Sequence, residues 1–217
     1  MSIHSVNLKL IVAATIAFAG FSPAVMSSTA FAQAQGPMPQ APDVAPEMPK
    51  VATPEGAPPV ASADELYDQL KSADEAGAAR IEREIEMLRA RSGSPAMDLL
   101  LTRGLKALEE KQYGLAIEHF TALTDHAPEF AEGWYGRAQA LAFSERPGPA
   151  VADLQRVLML NPRHYDALYG LGTLFEQIEQ PNEAYDAYKL VLEMHPHHQE
   201  ARQRVQYLER SVNGTQL

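Results

Sequence analysis

The densest group of chemically capable side chains is His195-Pro196-His197-His198, with Glu193 just upstream. Imidazoles and a carboxylate this close together can hold Zn²⁺ or Cu²⁺, which makes His195, His197 and His198 metal candidates. Their spacing matches none of the recurrent zinc-ligand patterns. Pro196 also closes a series, Pro128, Pro162 and Pro196, in which each proline follows the last by 34 residues. The competing reading is therefore an ordinary surface turn, like those holding His126 and His164. A second constellation keeps the same interval. Asp98, Glu132 and Asp166 are each followed three residues later by Leu101, Tyr135 and Tyr169. Rings flanked by carboxylates suit an extended or helical peptide bearing apolar and basic side chains. The alternative is that the acids favour helix N-termini through the dipole and the rings pack half-buried. No phosphate-binding glycine loop, HExxH or G-x-S-x-G occurs, and Asp125/His126 and Ser144/Glu145 read as helix-end residues. We expect no catalytic site and no cofactor.

The elements that would position these residues follow from the 34-residue period over 97–198. Small residues recur at Gly104, Ala138 and Gly172 and at Ala116, Ala150 and Ala184. Large apolar residues recur at Leu100, Trp134 and Leu168 and at Phe120, Leu154 and Tyr188. A fixed period of this size marks stacked supersecondary units, each needing its neighbours to bury its apolar face. Each unit reads as two helices. The A helices fall near 96–110, 131–144 and 165–178, and the B helices near 114–126, 148–160 and 182–194. Gly114, Pro147-Gly148-Pro149 and Pro181-Asn182 punctuate A from B. The residue before each of Pro128, Pro162 and Pro196 is pushed out of helical geometry, which ends the B helices.

The flanks are of other kinds. Residues 1–32 read as an export signal: Lys9, an apolar run from Leu10 to Gly20, and Ala30-Phe31-Ala32 ahead of Gln33. The run is shorter than the roughly 20 residues of a membrane span. A soluble periplasmic protein is expected, with no membrane insertion after cleavage; an uncleaved inner-membrane anchor is the runner-up. Residues 33–61 carry eight prolines and no hydrophobic periodicity, which suits a disordered or semi-stiff spacer. Two capping boxes, Ser62-Ala63-Asp64-Glu65 and Ser72-Ala73-Asp74-Glu75, open a helical hairpin over 62–92. Leu66 and Leu70 form one apolar stripe, and Ile81, Ile85 and Leu88 the other. This stretch lies off the period. It is expected to pack on the first repeat and cover its apolar end, or to stand as a separate arm. The absence of cysteine excludes disulfides and thiolate chemistry, and a net charge of −10 argues against nucleic acid as a partner.

The repeat columns resemble the tetratricopeptide repeat family. The second unit carries the likeness best, through Ala131-Glu132-Gly133-Trp134-Tyr135, Ala138, Leu141, Ala150, Leu154 and Asn161-Pro162. The third adds Leu171-Gly172, Phe175, Ala184, Tyr188 and Pro196. Arg103 and Arg137 stand where the family usually has Leu, and Lys111, Glu145 and Glu179 replace its usual A–B turn glycine. The resemblance implies an all-α, right-handed solenoid of antiparallel helix pairs. Its repeats would be 97–130, 131–164 and 165–198, with the N-terminal hairpin before them and a capping helix and tail at 199–217. In that helix Ala201, Val205, Leu208 and Val212 form the apolar stripe, and Arg202, Arg204 and Arg210 face water. The layout also resembles small exported repeat proteins of alphaproteobacteria. It further implies that the A helices line a concave groove. That places Asp98, Leu101, Leu105, Glu132, Tyr135, Gln139, Phe143, Asp166, Tyr169, Thr173 and Glu176 on the binding face. Leu101, Tyr135 and Tyr169 occupy a position where relatives that clamp C-terminal carboxylates need Lys. The expected function is a periplasmic scaffold or adaptor binding a peptide segment or protein in envelope assembly or a chaperone-type role. A metal-binding or metal-delivery protein using the His195–His198 turn is the alternative, and homo-oligomerisation stays open.

Overall fold

Capping chemistry starts the first helix at Ser62. Its hydroxyl accepts from the Glu65 N–H at 3.3 Å, and the Glu65 carboxylate accepts from the Ser62 N–H at 2.9 Å. In this computed structural model, which describes residues 62–214 and side chains as far as Arg210, α1 spans Ala63–Ser72 and α2 spans Glu75–Arg89. The start of α2 differs from the expected second capping box. Ser72 is the last residue of α1, and its hydroxyl bonds back to the Asp68 and Gln69 carbonyls. Asp74 caps α2 instead, accepting from the Gly77 N–H at 2.8 Å. Leu66, Tyr67 and Leu70 of α1 and Ala78, Ile81 and Ile85 of α2 are buried.

The repeats follow as α3 (Pro95–Glu109) and α4 (Tyr113–His126), α5 (Ala131–Phe143) and α6 (Pro147–Leu160), then α7 (Tyr165–Gln177) and α8 (Pro181–Met194). The helix α9 (Gln199–Gly214) packs on α8. All of the regular structure among the described residues is helical. The expected signal, residues 1–32, the spacer, residues 33–61, and the Val212 side chain lie outside the described residues.

Each A–B turn is closed in the same way. The N–H groups of Gln112, Arg146 and Gln180 bond to the carbonyls of Ala107, Leu141 and Phe175 at 2.8–2.9 Å. This is the Schellman bond, and it requires a left-handed residue just before the donor. Those residues are Lys111, Glu145 and Glu179, with φ of 56–59°. Side chains in this region strain the backbone, which is why glycine usually stands there.

Close helix approach sets the core. A Cβ on Gly104 would come within 2.5 Å of the Phe120 ring, and one on Gly136 within 2.4 Å of the same ring. Gly172 faces the Tyr188 ring in the same way, at 2.6 Å. In the same column Ala138 carries a methyl, and the B-helix column that holds Phe120 and Tyr188 in the other repeats holds Leu154 in this one. Arg137, a departure from the apolar column, lies over the Trp134 ring and forms a fork-shaped pair with Asp153 at 2.7 and 2.8 Å. It also donates to the Thr124 hydroxyl.

The hairpin does not cover the first repeat, and it is not a separate arm. Its long-range hydrogen bonds run to the B–A turns of repeats 2 and 3 and to the first residues of the helices that follow them. Asn161 donates to the Tyr67 hydroxyl at 3.0 Å, and Arg163 bonds Asp68 at 2.6 Å. One repeat later, His195 pairs with Glu82, and His197 donates to the Ala73 carbonyl at 3.0 Å. The reason lies in the columns. Positions 161, 163 and 164 are Asn, Arg and His, and positions 195, 197 and 198 are all His. Repeat 1 has Ala127, Glu129 and Phe130 there, with no polar donor to grip the hairpin.

Candidate functional site

The acid column of the A helices divides between tasks. Asp98, at the start of α3, accepts from the backbone N–H and hydroxyl of Ser92 at 2.8 and 2.6 Å. These bonds hold its carboxyl below the usual range, and they tie down the linker from α2. Glu132 and Asp166, the equivalents in α5 and α7, close on Arg89 at the end of α2. The guanidinium donates to Asp166 at 2.7 Å, lies 3.5 Å from Glu132, and sits over the Tyr165 ring at 5.4 Å.

His164 completes this cage. It is fully buried and caps α7 by accepting the Ala167 N–H at Nδ1. Arg89 donates to the same nitrogen at 3.3 Å, so Nε2 carries the proton and donates to Glu132 at 3.2 Å. Burial works against charge on both partners, yet the pairing wins. Arg89 is pushed above its usual range by Asp166 and Glu132, and Glu132 is held below its own by His164 and Arg89. Arg89 Nε is buried and makes no hydrogen bond.

Beside the cage lies an open pocket of about 280 Å³ between α5 and α7. Six of the expected groove residues line it: Tyr135, Gln139, Phe143, Asp166, Tyr169 and Thr173. Ala138, Ala142, Leu154 and Leu174 make its floor largely apolar. The Tyr135 ring packs at a tilt against His164 with ring centres 4.7 Å apart, and burial raises its hydroxyl pKa. Tyr169 stacks on His198 at 4.9 Å, and Thr173 bonds the Tyr169 carbonyl. Phe143 stacks on Tyr113 at 5.4 Å and remains 62% exposed.

Other expected groove residues serve different ends. Leu101 is buried in the first-repeat core with Phe120 and Leu123. Leu105 is exposed and lies apart from the pocket. Glu176 accepts from the Tyr188 hydroxyl at 2.7 Å and from Arg204 at 2.8 and 2.7 Å. Arg204 therefore anchors α9 and does not simply face water.

The histidine turn lies against the hairpin. His195 is 2% exposed and pairs with Glu82, and His197 meets the Ala73 carbonyl. His198 caps α9 by accepting the Ala201 N–H, as His164 does one repeat earlier. The imidazoles are spent on capping and docking, and among the described residues no group of three or more histidines and carboxylates could hold a metal ion. Reading single residues missed Arg89, Tyr67, Asn161 and Arg163. The signal that could have found the gripping turns was the three columns of polar donors absent from repeat 1.

The tetratricopeptide repeat family model matches residues 101–147 and 143–198. A TPR repeat-containing protein of Rhizobium etli is 28% identical over 152 residues, covering 70% of this chain and 74% of its own length. Among solved structures, the first TPR of Spaghetti (RPAP3) bound to the HSP90 peptide SRMEEVD superposes with a TM-score of 0.52 and 23% identity. It covers 54% of this chain and 93% of that one. MamA superposes with the same TM-score at 22% identity, over 68% and 83% of the two chains. The Sgt2 TPR domain of Aspergillus fumigatus does so at 21%, over 56% and 82%. The 34-residue columns, the three equivalent helix pairs and the family model agree: residues 101–198 are tetratricopeptide repeats.

Proposed function

We propose that this chain is an exported protein-interaction module that binds a peptide segment or partner protein in the open half of its concave groove. The observation that carries this reading is the pocket between α5 and α7. It is walled by Tyr135, Phe143 and Tyr169, edged by Gln139, Thr173 and Asp166, and large enough for one or two apolar side chains. Rigid rings of this kind supply contact area at low entropic cost, with polar groups to fix register. One structural neighbour of the same fold is bound to the HSP90 peptide SRMEEVD. The ligand here differs in charge. The groove presents Leu101, Tyr135 and Tyr169 where a clamp for an acidic tail needs lysines, and the Asp166 carboxylate edges the pocket, so the partner is apolar and basic. The N-terminal 32 residues would export the chain to the periplasm, where it would serve as an adaptor in envelope assembly or chaperoning.

The test is crosslinking in cells followed by cell fractionation, comparing the wild type with Phe143→Ala/Tyr169→Ala. We expect the wild type in the periplasmic fraction with a trapped partner, and the folded double variant without it. A folded double variant that keeps every partner would refute the groove assignment, and a cytoplasmic wild type would refute export.

A further inference from the structure

The cage beside the open pocket already holds a ligand-like group, supplied by the chain itself. We propose that the α1–α2 hairpin is a built-in occupant of the groove. The partner that replaces it is an amphipathic helical segment whose arginine seats between Glu132 and Asp166. This rests on the groove reading above and names the partner's chemistry.

Four observations carry it. First, the acids that hold Arg89, Glu132 and Asp166, are two of the A-helix residues expected to line the groove, joined by the buried His164 and the Tyr165 ring. The site is thus built for a guanidinium, a planar group that can meet two carboxylates at once. Second, the built-in arginine fits it imperfectly. Its Nε is buried without a hydrogen bond, with Glu132 3.5 Å away. A buried donor left unmade is a standing penalty that a better-placed arginine would remove. Third, the cage and the open pocket are continuous. Asp166 belongs to both, and Tyr135 lines the pocket while its ring packs at a tilt against His164. A partner can gain its first hold in the pocket before meeting the cage. Fourth, the hairpin joins the repeats through residues 90–94, where Gly93 takes a φ of 81° that other residues rarely adopt. The hairpin also buries Leu66, Leu70, Ile81 and Ile85. A lone arginine therefore cannot displace it, and the competitor must bring an apolar stripe of its own.

The probe is a fluorescein-labelled peptide of residues 62–92, with its Arg89→Gln form as control, titrated into the full chain. We expect the Arg89→Gln full chain to bind the native peptide at least tenfold more tightly than the wild-type chain does, because its own hairpin has lost its anchor. The control peptide should bind at least tenfold more weakly than the native one. Equal binding of the two peptides overturns the proposal. If the Arg89→Gln chain fails to fold, a second variant decides. Asp68→Cys/Arg163→Cys, in a chain otherwise free of cysteine, is bridged by a flexible bismaleimide to fasten the hairpin down. Bridging should abolish peptide uptake, and undiminished uptake overturns the proposal. Light scattering is expected to give a monomer; a dimer with exchanged hairpins would make a second copy the occupant and would also overturn it. If Phe143→Ala/Tyr169→Ala loses the cellular partner while no chain takes up the peptide, the groove reading stands and this inference falls.

Discussion

At the scale of single residues, a buried ion pair dictates what substitution of either partner does. Arg137 stands in a column usually occupied by an apolar residue because Asp153, 6% exposed, receives its fork. Arg137→Leu leaves that carboxylate buried without its partner and should cost about 3 kcal/mol in chemical denaturation, whereas Arg137→Leu/Asp153→Leu should recover most of the loss. His198 has a different sensitivity. Burial, and then its neighbour His195, hold its pKa below the usual histidine value. The unfolded chain therefore takes up a proton at this position before the folded chain does. Stability is undiminished above the ordinary value of about 6.5 and falls as pH drops below it. The melting temperature should fall between pH 7.5 and 5.5, and His198→Asn, which keeps a capping acceptor for the Ala201 N–H, should flatten that slope. A slope unchanged by His198→Asn would assign the effect to another group. The pairing of Arg137 was not legible, because the sequence marks it only as a departure, with no pointer to a partner 16 residues away.

At the scale of elements, the period was readable because packing repeats it. Helix bounds lie within a residue or two of expectation, since the same proline ends each B helix and the same left-handed residue ends each A helix. Left-handed geometry without glycine is strained by about 1–2 kcal/mol per site, partly offset because glycine frees the unfolded chain. Glu145→Gly should thus raise stability by about 0.5–1 kcal/mol in urea titrations, and a loss would show that the side chain makes a contact worth more than the strain. The small-residue column behaves oppositely. Gly172→Ala drives a methyl into the Tyr188 ring and should cost about 1–3 kcal/mol. Gly170→Ala should cost less, because the Leu154 methyl it meets, at 3.2 Å, has room to shift. The boundary between α1 and α2 was misread because two capping boxes were expected. Ser72 can serve as the last residue of one helix while Asp74 opens the next, and residue types alone do not choose between them.

At the scale of the whole molecule, the hairpin turns a stack of neighbours into something more tightly coupled. A solenoid's contacts are mostly between adjacent helices, so its ends can fray independently. Here Glu82 pairs with His195 across 113 residues, and Gln199 bonds Glu75 across 124. Where the hairpin docks could be read only by comparing the turns of all three repeats, since nothing within residues 62–92 points to its destination. Periodicity identified the solenoid because it is a local pattern, whereas docking depends on polar pairs far apart in sequence. This coupling has a measurable consequence. Ile85 is 1% exposed, and Ile85→Ala should cost about 2–5 kcal/mol if the hairpin unfolds together with the repeats it grips. Trp134 is the sole tryptophan and lies in repeat 2, held by a bond from its indole N–H to the Pro128 carbonyl, so its fluorescence reports the solenoid and not the hairpin. In a coupled molecule the urea midpoint seen by Trp134 shifts with that seen by circular dichroism, and both fall in Ile85→Ala. An unchanged Trp134 midpoint with a separate, earlier loss of helical signal would mean that the hairpin melts alone, leaving the groove open before the repeats give way.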